Sequence, residues 1–136
     1  MSYLLDTNVI SALRRGRNGH AAVRRWYRDV EASELHLSAL TFGEIRRGIE
    51  LVRARDAAQA SALEQWLHRL RRSFAGRILA IDDGTIDLWG QITARRPYPA
   101  IDALIAATAM RHGLTMVTRN VKDVGDIGVG ILNPFE

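Results

Sequence analysis

The sequence has 136 residues, 47% of them hydrophobic, with a formal charge of +4 and no cysteine. That length suits one compact domain around one core, so residues 1–136 are read as a single domain. Without cysteine, disulfides and thiolate metal sites are excluded, which fits a reducing cytoplasm.

The chain opens Met1-Ser2-Tyr3-Leu4-Leu5-Asp6, with no basic stretch before an apolar run, so a signal peptide is not expected. No stretch approaches the roughly 18 apolar residues of a membrane helix, so no membrane association is expected. Tyr3–Leu5 reads as a short strand ending at Asp6. A helix follows from about Val9 to Arg15 and stops at Gly16. A second, from about His20 to Ala32, puts Val23, Trp26, Tyr27 and Val30 on one face. Leu35–Leu37 is a second strand, after which Ser38 or Thr41 caps a helix through Ile45, Ile49 and Val52.

Asp56 opens a long helix carrying Leu63, Trp66, Leu67 and Leu70 that ends near Gly76. Ile78–Ile81 reads as a third strand. Asp82 or Asp83 caps a helix with Ile86, Trp89 and Ile92, which stops before Pro97. Pro99 starts another helix that runs to Gly113. Thr115–Thr118 is a fourth strand, a helical turn lies near Lys122, and Val129–Leu132 reads as a small fifth strand. Strands alternating with helices imply an α/β fold with a parallel sheet covered on both faces. Ligands of such sheets bind beyond the carboxyl ends of the strands. Asp6 and the Thr118–Asp123 segment both fall there.

Lys122 is the only lysine, so the basic set of 19 is otherwise arginine. Arginines cluster at Arg14, Arg15 and Arg17, at Arg24, Arg25 and Arg28, and at Arg69, Arg71 and Arg72. Taken singly they are solvated helix faces. Together with the net charge they suggest a polyanionic substrate or an acidic partner.

Four acids stand out, each with a plainer reading. Asp6 is placed to cap the next helix. Glu44 completes Thr41-x-x-Glu44, a capping-box spacing. Asp102 sits in the first turn of Ile101-Asp102-Ala103-Leu104-Ile105-Ala106-Ala107-Thr108-Ala109-Met110, where the helix dipole favours an acid. That helix is apolar almost all round, however, so a charge on it is costly unless paired or metal-bound. Asp123 reads alone as a loop acid paired with Lys122 or Arg119. Carboxylates gathered at one strand-end cleft repel one another, and a hard divalent cation removes the repulsion. Oxygen-only donors suit Mg²⁺ or Mn²⁺. His20, His36, His68 and His112 are scattered and offer no zinc site.

The segments Leu4-Leu5-Asp6-Thr7-Asn8-Val9-Ile10-Ser11, Ser38-x-x-Thr41-x-x-Glu44-Ile45-x-x-Gly48, Asp102-Ala103-Leu104-Ile105-Ala106-Ala107-Thr108-Ala109 and Thr118-Arg119-Asn120-x-x-Asp123 occur in this order over nearly the whole chain. In that arrangement the chain resembles the PIN-domain ribonucleases, specifically bacterial toxins of the VapC and FitB type. The resemblance implies a three-layer α/β/α fold and a Mg²⁺ or Mn²⁺ site at Asp6, Glu44, Asp102 and Asp123. It places Thr118, Asn120 and Asn8 around that site. The family motif usually ends Asp-Phe, whereas here it reads Asp123-Val124.

The resemblance further implies a metal-dependent endoribonuclease, a toxin blocked by a cognate antitoxin, and a homodimer that reaches promoter DNA only through the antitoxin. The antitoxin's groove would fall near Trp26, Tyr27, Phe42 and Ile49, residues that otherwise read as core. Two other α/β classes fit poorly. A haloacid-dehalogenase-type phosphatase needs an aspartate where Asn8 stands, and a phosphotransfer receiver needs one directly after a middle strand. A catalytically silent nucleic-acid-binding module remains the alternative.

Overall fold

A computed structural model describes residues 1–16 and 19–136; Arg17 of the first arginine cluster lies outside them. The elements follow the order β1 (Tyr3–Leu5), α1 (Thr7–Arg14), α2 (Ala21–Asp29), β2 (Leu35–Ser38), α3 (Ala39–Arg53), α4 (Ala57–Ser73), β3 (Ile78–Leu79), α5 (Asp83–Thr93), α6 (Ala100–Arg111), β4 (Thr115–Val117), α7 (Val121–Val124) and β5 (Ile131–Leu132). A single 3-10 turn at Ala32–Glu34 leads into β2.

The strands form one sheet in the order β3-β2-β1-β4-β5, and every pairing is parallel. The chain starts at the centre, moves outward through β2 to β3, then crosses back to lay β4 on the other side of β1. That reversal is the switch point where α/β sheets bind ligands. Leu5 pairs with Val117 there, so Asp6 and Thr118 leave neighbouring strands side by side.

Side chains along a strand alternate between faces, and both faces here are covered. Leu5 and Val117 enter a core with Val9, Val23, Phe42, Ile49 and Leu67 from α1–α4. Leu4 and Met116 point the other way, among Ile92, Ile105, Ala106 and Ala109 from α5 and α6. The result is the expected α/β/α sandwich. The alanines of α6 bring its backbone close to the sheet, which is why that helix reads as apolar almost all round.

The helix signals act as the sequence implied, with the choices resolved. Ser38 caps α3 by accepting from Leu40 N–H at 3.1 Å. Asp56 and Asp82 cap α4 and α5 through Gln59 and Thr85 N–H. Gly113 ends α6 at φ +65°, with Leu114 N–H on Ala109 O and Gly113 N–H on Met110 O. This is the paired closure that favours a residue without Cβ. The third and fifth strands are shorter than expected, two residues each, because β3 and β5 are the sheet's edges and pair on one side only.

Candidate active site

Asp6 continues the sheet beyond β1, its N–H donating to Val117 O at 2.9 Å. It is also the residue from which α1 starts. One carboxylate oxygen, Oδ1, accepts from Thr7 N–H at 2.7 Å. The other, Oδ2, accepts from Thr118 Oγ1 at 2.7 Å and from Asn8 Nδ2 at 3.3 Å. The residue is only 3% exposed. Burial raises its pKa to about 6, and the charges of Asp102 and Glu44 push the same way. The Thr118 hydroxyl and Thr7 N–H oppose the rise without cancelling it. The helix cap anticipated for Asp6 is therefore present, but a plain cap does not need a buried carboxylate with two more acids nearby.

Thr118 follows β4 and is fully buried. Its hydroxyl proton goes to Asp6, while its oxygen accepts from Asn120 N–H at 2.9 Å. Asn120 then donates from Nδ2 to Asp102 Oδ2 at 3.3 Å. A continuous chain of polar contacts thus links Asp6, Thr118, Asn120 and Asp102. Asp102 lies in the first turn of α6, half-buried rather than enclosed. Burial raises its pKa first, and the charges of Asp123 and Glu44 add to the rise. The sequence marked Asp102 as the costly charge, yet Asp6 is the more buried of the two. The apolar flanks of α6 face the sheet, and its N-terminal turn opens on the site.

Glu44 forms no capping box. Thr41 sits inside α3, whose cap is Ser38, and Glu44 Oε1 instead accepts from Thr7 Oγ1 at 2.6 Å. The same Thr7 oxygen lies 3.1 Å from Thr41 Oγ1. Glu44 is thereby tied across the sheet end to the residue after Asp6. Asp123, exposed in α7, makes no ion pair with Lys122 or Arg119 among the described residues. Its charge acts on Asp102 instead.

The acids are thus close enough for charge to act between them: beyond burial, Asp102 and Glu44 raise the pKa of Asp6, and Asp123 and Glu44 raise that of Asp102. No three of them converge closely enough among the described residues to grip an ion. The donor set fits a hard divalent cation in chemistry, because every donor is oxygen and the buried anion at Asp6 is the condition such a cation relieves.

Sequence reasoning did not single out Thr7 as the tie to Glu44, nor a clamp behind Asp123. Arg96 donates to both carboxylate oxygens of Asp126 at 3.0 Å and to Asp123 O at 3.1 Å. It also stacks 3.8 Å from the Tyr98 ring centroid, and Tyr98 Oη donates to Asp126. These contacts span about 30 positions of sequence, so no local pattern reveals them. Removing such a support typically costs roughly 10-fold in activity. Arg96→Ala is therefore expected to slow any cleavage these acids carry out about 10-fold with little change in stability, since the pair is exposed and solvent screens it. Cleavage kinetics beside a thermal melt check both parts.

A groove of about 250 Å³ opens beside Glu44 between α1, α3 and α4, floored by Ile45, Val52, Leu63 and Trp66. Of the aromatic and aliphatic residues expected in a partner groove, only Ile49 lines it. Phe42 is buried in the core, and Trp26 packs edge-on against Tyr3. The groove's aromatic wall is Trp66 because α4 folds back along α3 and brings that residue to the cleft.

The PIN domain model matches residues 3–122. Toxin FitB of Neisseria gonorrhoeae is 33% identical, with 97% of each chain covered. The crystal structure of FitAcB from that organism superposes with a TM-score of 0.89 at 33% identity, covering 98% of this chain and 99% of the other. A VapC ribonuclease of Sinorhizobium fredii is 34% identical over 98% of this chain and 97% of its own. A toxin-antitoxin complex from Klebsiella pneumoniae gives a TM-score of 0.77 at 26% identity, with 99% of each chain covered. The fold, the strand-end acids and these likenesses agree: the chain belongs to the PIN domain family, among its FitB- and VapC-type members.

Proposed function

We propose that this chain is a Mg²⁺- or Mn²⁺-dependent endoribonuclease, the toxin of a type II toxin–antitoxin pair. The observation that carries the reading is Asp6, a buried carboxylate held near pKa 6 with Asp102 and Glu44 charged beside it. An arrangement that disfavours its own anions is unfavourable for a scaffold and suited to a cation. Asp6 and Asp102 would hold the metal directly, with Glu44 and Asp123 completing its surroundings. When bound, the ion supplies Lewis acidity that favours deprotonation of water and offsets charge on phosphate oxygens.

The chain's own groups do the rest. Thr118 keeps Asp6 Oδ2 fixed, and Asn120 does the same for Asp102 Oδ2. Thr7 occupies Glu44 Oε1, leaving Oε2 to accept a proton from water as its oxygen bonds phosphorus. The bond to the leaving ribose oxygen breaks, and that oxygen takes a proton from solvent. The FitB and VapC likenesses support the toxin and ribonuclease names for this chain.

The Klebsiella complex supports a protein partner, and the groove beside Glu44 suits a segment of that antitoxin, which would cover the acids. The family resemblance extends the proposal to a homodimer whose antitoxin, rather than the toxin, contacts promoter DNA. RNA as substrate and a cysteine-free chain support action in the cytoplasm. No helix among the described residues is long and apolar enough to cross a membrane.

One observation favours a silent nucleic-acid-binding module instead: no three acids converge in the absence of an ion. Incubating the partner-free chain with a mixed RNA pool separates the two. Cleavage with Mn²⁺ or Mg²⁺ and none with EDTA is the expected result. RNA binding without cleavage in any metal would favour the silent module.

A further inference from the structure

A second pocket, of about 440 Å³, lies beside the acids, between the end of α1, the start of α2 and the loop after β4. Asn8 forms the wall between the two. Its side chain donates to Asp6 Oδ2, and its Oδ1 accepts from Arg119 N–H at 3.4 Å. The pocket is thus one side chain away from the carboxylates. Its own lining has the opposite character: Arg15, His20 and Arg119 contribute nitrogen, Ser11 a hydroxyl, and no acidic residue lines it among those described.

Phe135 organises these groups. The Arg119 guanidinium stands 4.0 Å from its ring centroid, and the His20 ring meets it edge-on at 5.2 Å. Stacking holds Arg119 in place and leaves its other face and its fork of donors for a ligand. His20 also has a buried ring nitrogen, Nδ1, with no hydrogen-bond partner among the described residues. Two helix ends meet here. The carbonyl end of α1 disfavours an anion, and the amide end of α2, which has no side-chain cap, favours one. Each amounts to about half a charge and they offset, so the two arginines decide the sign.

A cleft of four carboxylates repels an RNA backbone, so a substrate strand needs cationic groups immediately beside it. We propose that this pocket holds the nucleotide flanking the scissile bond, with its phosphate between Arg15 and Arg119. The proposal rests on the nuclease reading above and deepens it. Arginine forks pair with phosphate oxygens in two parallel hydrogen bonds, and Phe135 lends Arg119 the rigidity that such pairing rewards.

The test is fluorescence anisotropy of a labelled six-nucleotide RNA with the full chain, first in EDTA and then in Ca²⁺. Arg15→Ala and Arg119→Ala are compared with Arg72→Ala, an equal charge loss on the remote face of α4. Each pocket variant is expected to bind about 10-fold more weakly than wild type and to lower the salt slope by about one. Arg72→Ala should change binding less than about 2-fold. Arg119→Lys keeps the charge without the fork and is expected to fall between, which guards against a folding defect in the alanine variant. Pocket variants that bind no more weakly than Arg72→Ala would overturn the pocket and leave the nuclease reading standing. A wild-type chain that binds no RNA in either buffer would overturn both.

Discussion

Asp6→Asn is expected to abolish RNA cleavage and, without metal, to leave the protein more stable than wild type. The two effects have one cause. The carboxylate is 3% exposed and shares its cleft with Asp102 and Glu44, so its charge is opposed by burial and by both neighbours. Asparagine removes that charge with little change of shape. It loses the acceptor for Thr118 Oγ1, a cost of about 1 kcal/mol, against a gain of up to about 3 kcal/mol from removing the disfavoured anion. A net gain of about 1–2 kcal/mol in EDTA at pH 7.5 is expected, read by thermal or denaturant unfolding. Cleavage should fall by at least about 100-fold, because the cation loses its most enclosed donor. A variant that is less stable and still active would mean that Asp6 is only a helix cap.

The same burial predicts how wild-type stability depends on pH. The pKa of Asp6 is about 6 in the fold, against an ordinary 3.8. Between these values the folded state binds more protons than the unfolded chain, so stability falls as pH rises through that window and levels off above it. The loss amounts to about 3 kcal/mol at most, or roughly 10 °C in Tm. Asp102 is shifted in the same direction and adds to the trend. Asp126 acts in the opposite sense. Arg96 holds its pKa at about 2, so its contribution is present above the ordinary value and is lost only as pH falls towards 2. In EDTA, melts from pH 4 to pH 7.5 should therefore show declining stability, Asp6→Asn should keep only the shallower decline left by Asp102, and Mn²⁺ at pH 7.5 should restore wild type. Wild-type stability that rises across this range in EDTA would contradict the electrostatic picture of the site.

Much of this was legible in the sequence because the signals are local. Strand–helix alternation gave the layers, and glycine and cap residues gave most helix ends to within a few positions. The acids could be placed from the strand-end rule for Asp6 and Asp123, and from an unusually apolar helix for Asp102. Relations between distant segments were not legible. Thr41-x-x-Glu44 has the spacing of a capping box, yet Ser38 starts the helix earlier and Glu44 turns to Thr7, 37 positions away. Nothing in the local sequence singles out Arg96 or Asp126, which pair only because the fold brings the loop before α6 against the end of α7. That Asp6 is more enclosed than Asp102 was not legible for a similar reason. Composition showed that α6 was enclosed, but not that its first turn opens on the cleft while Asp6 lies beneath Thr118 and Asn8.

The most direct test of the central claim is a crystal of the partner-free chain soaked in Mn²⁺ and measured for anomalous scattering. The predicted result is a Mn²⁺ peak roughly 2 Å from carboxylate oxygens of both Asp6 and Asp102, with Glu44 and Asp123 turned towards it and no peak in Asp6→Asn crystals. Well-ordered acids with no peak between them at saturating Mn²⁺ would contradict the metal site and, with it, the nuclease built on it.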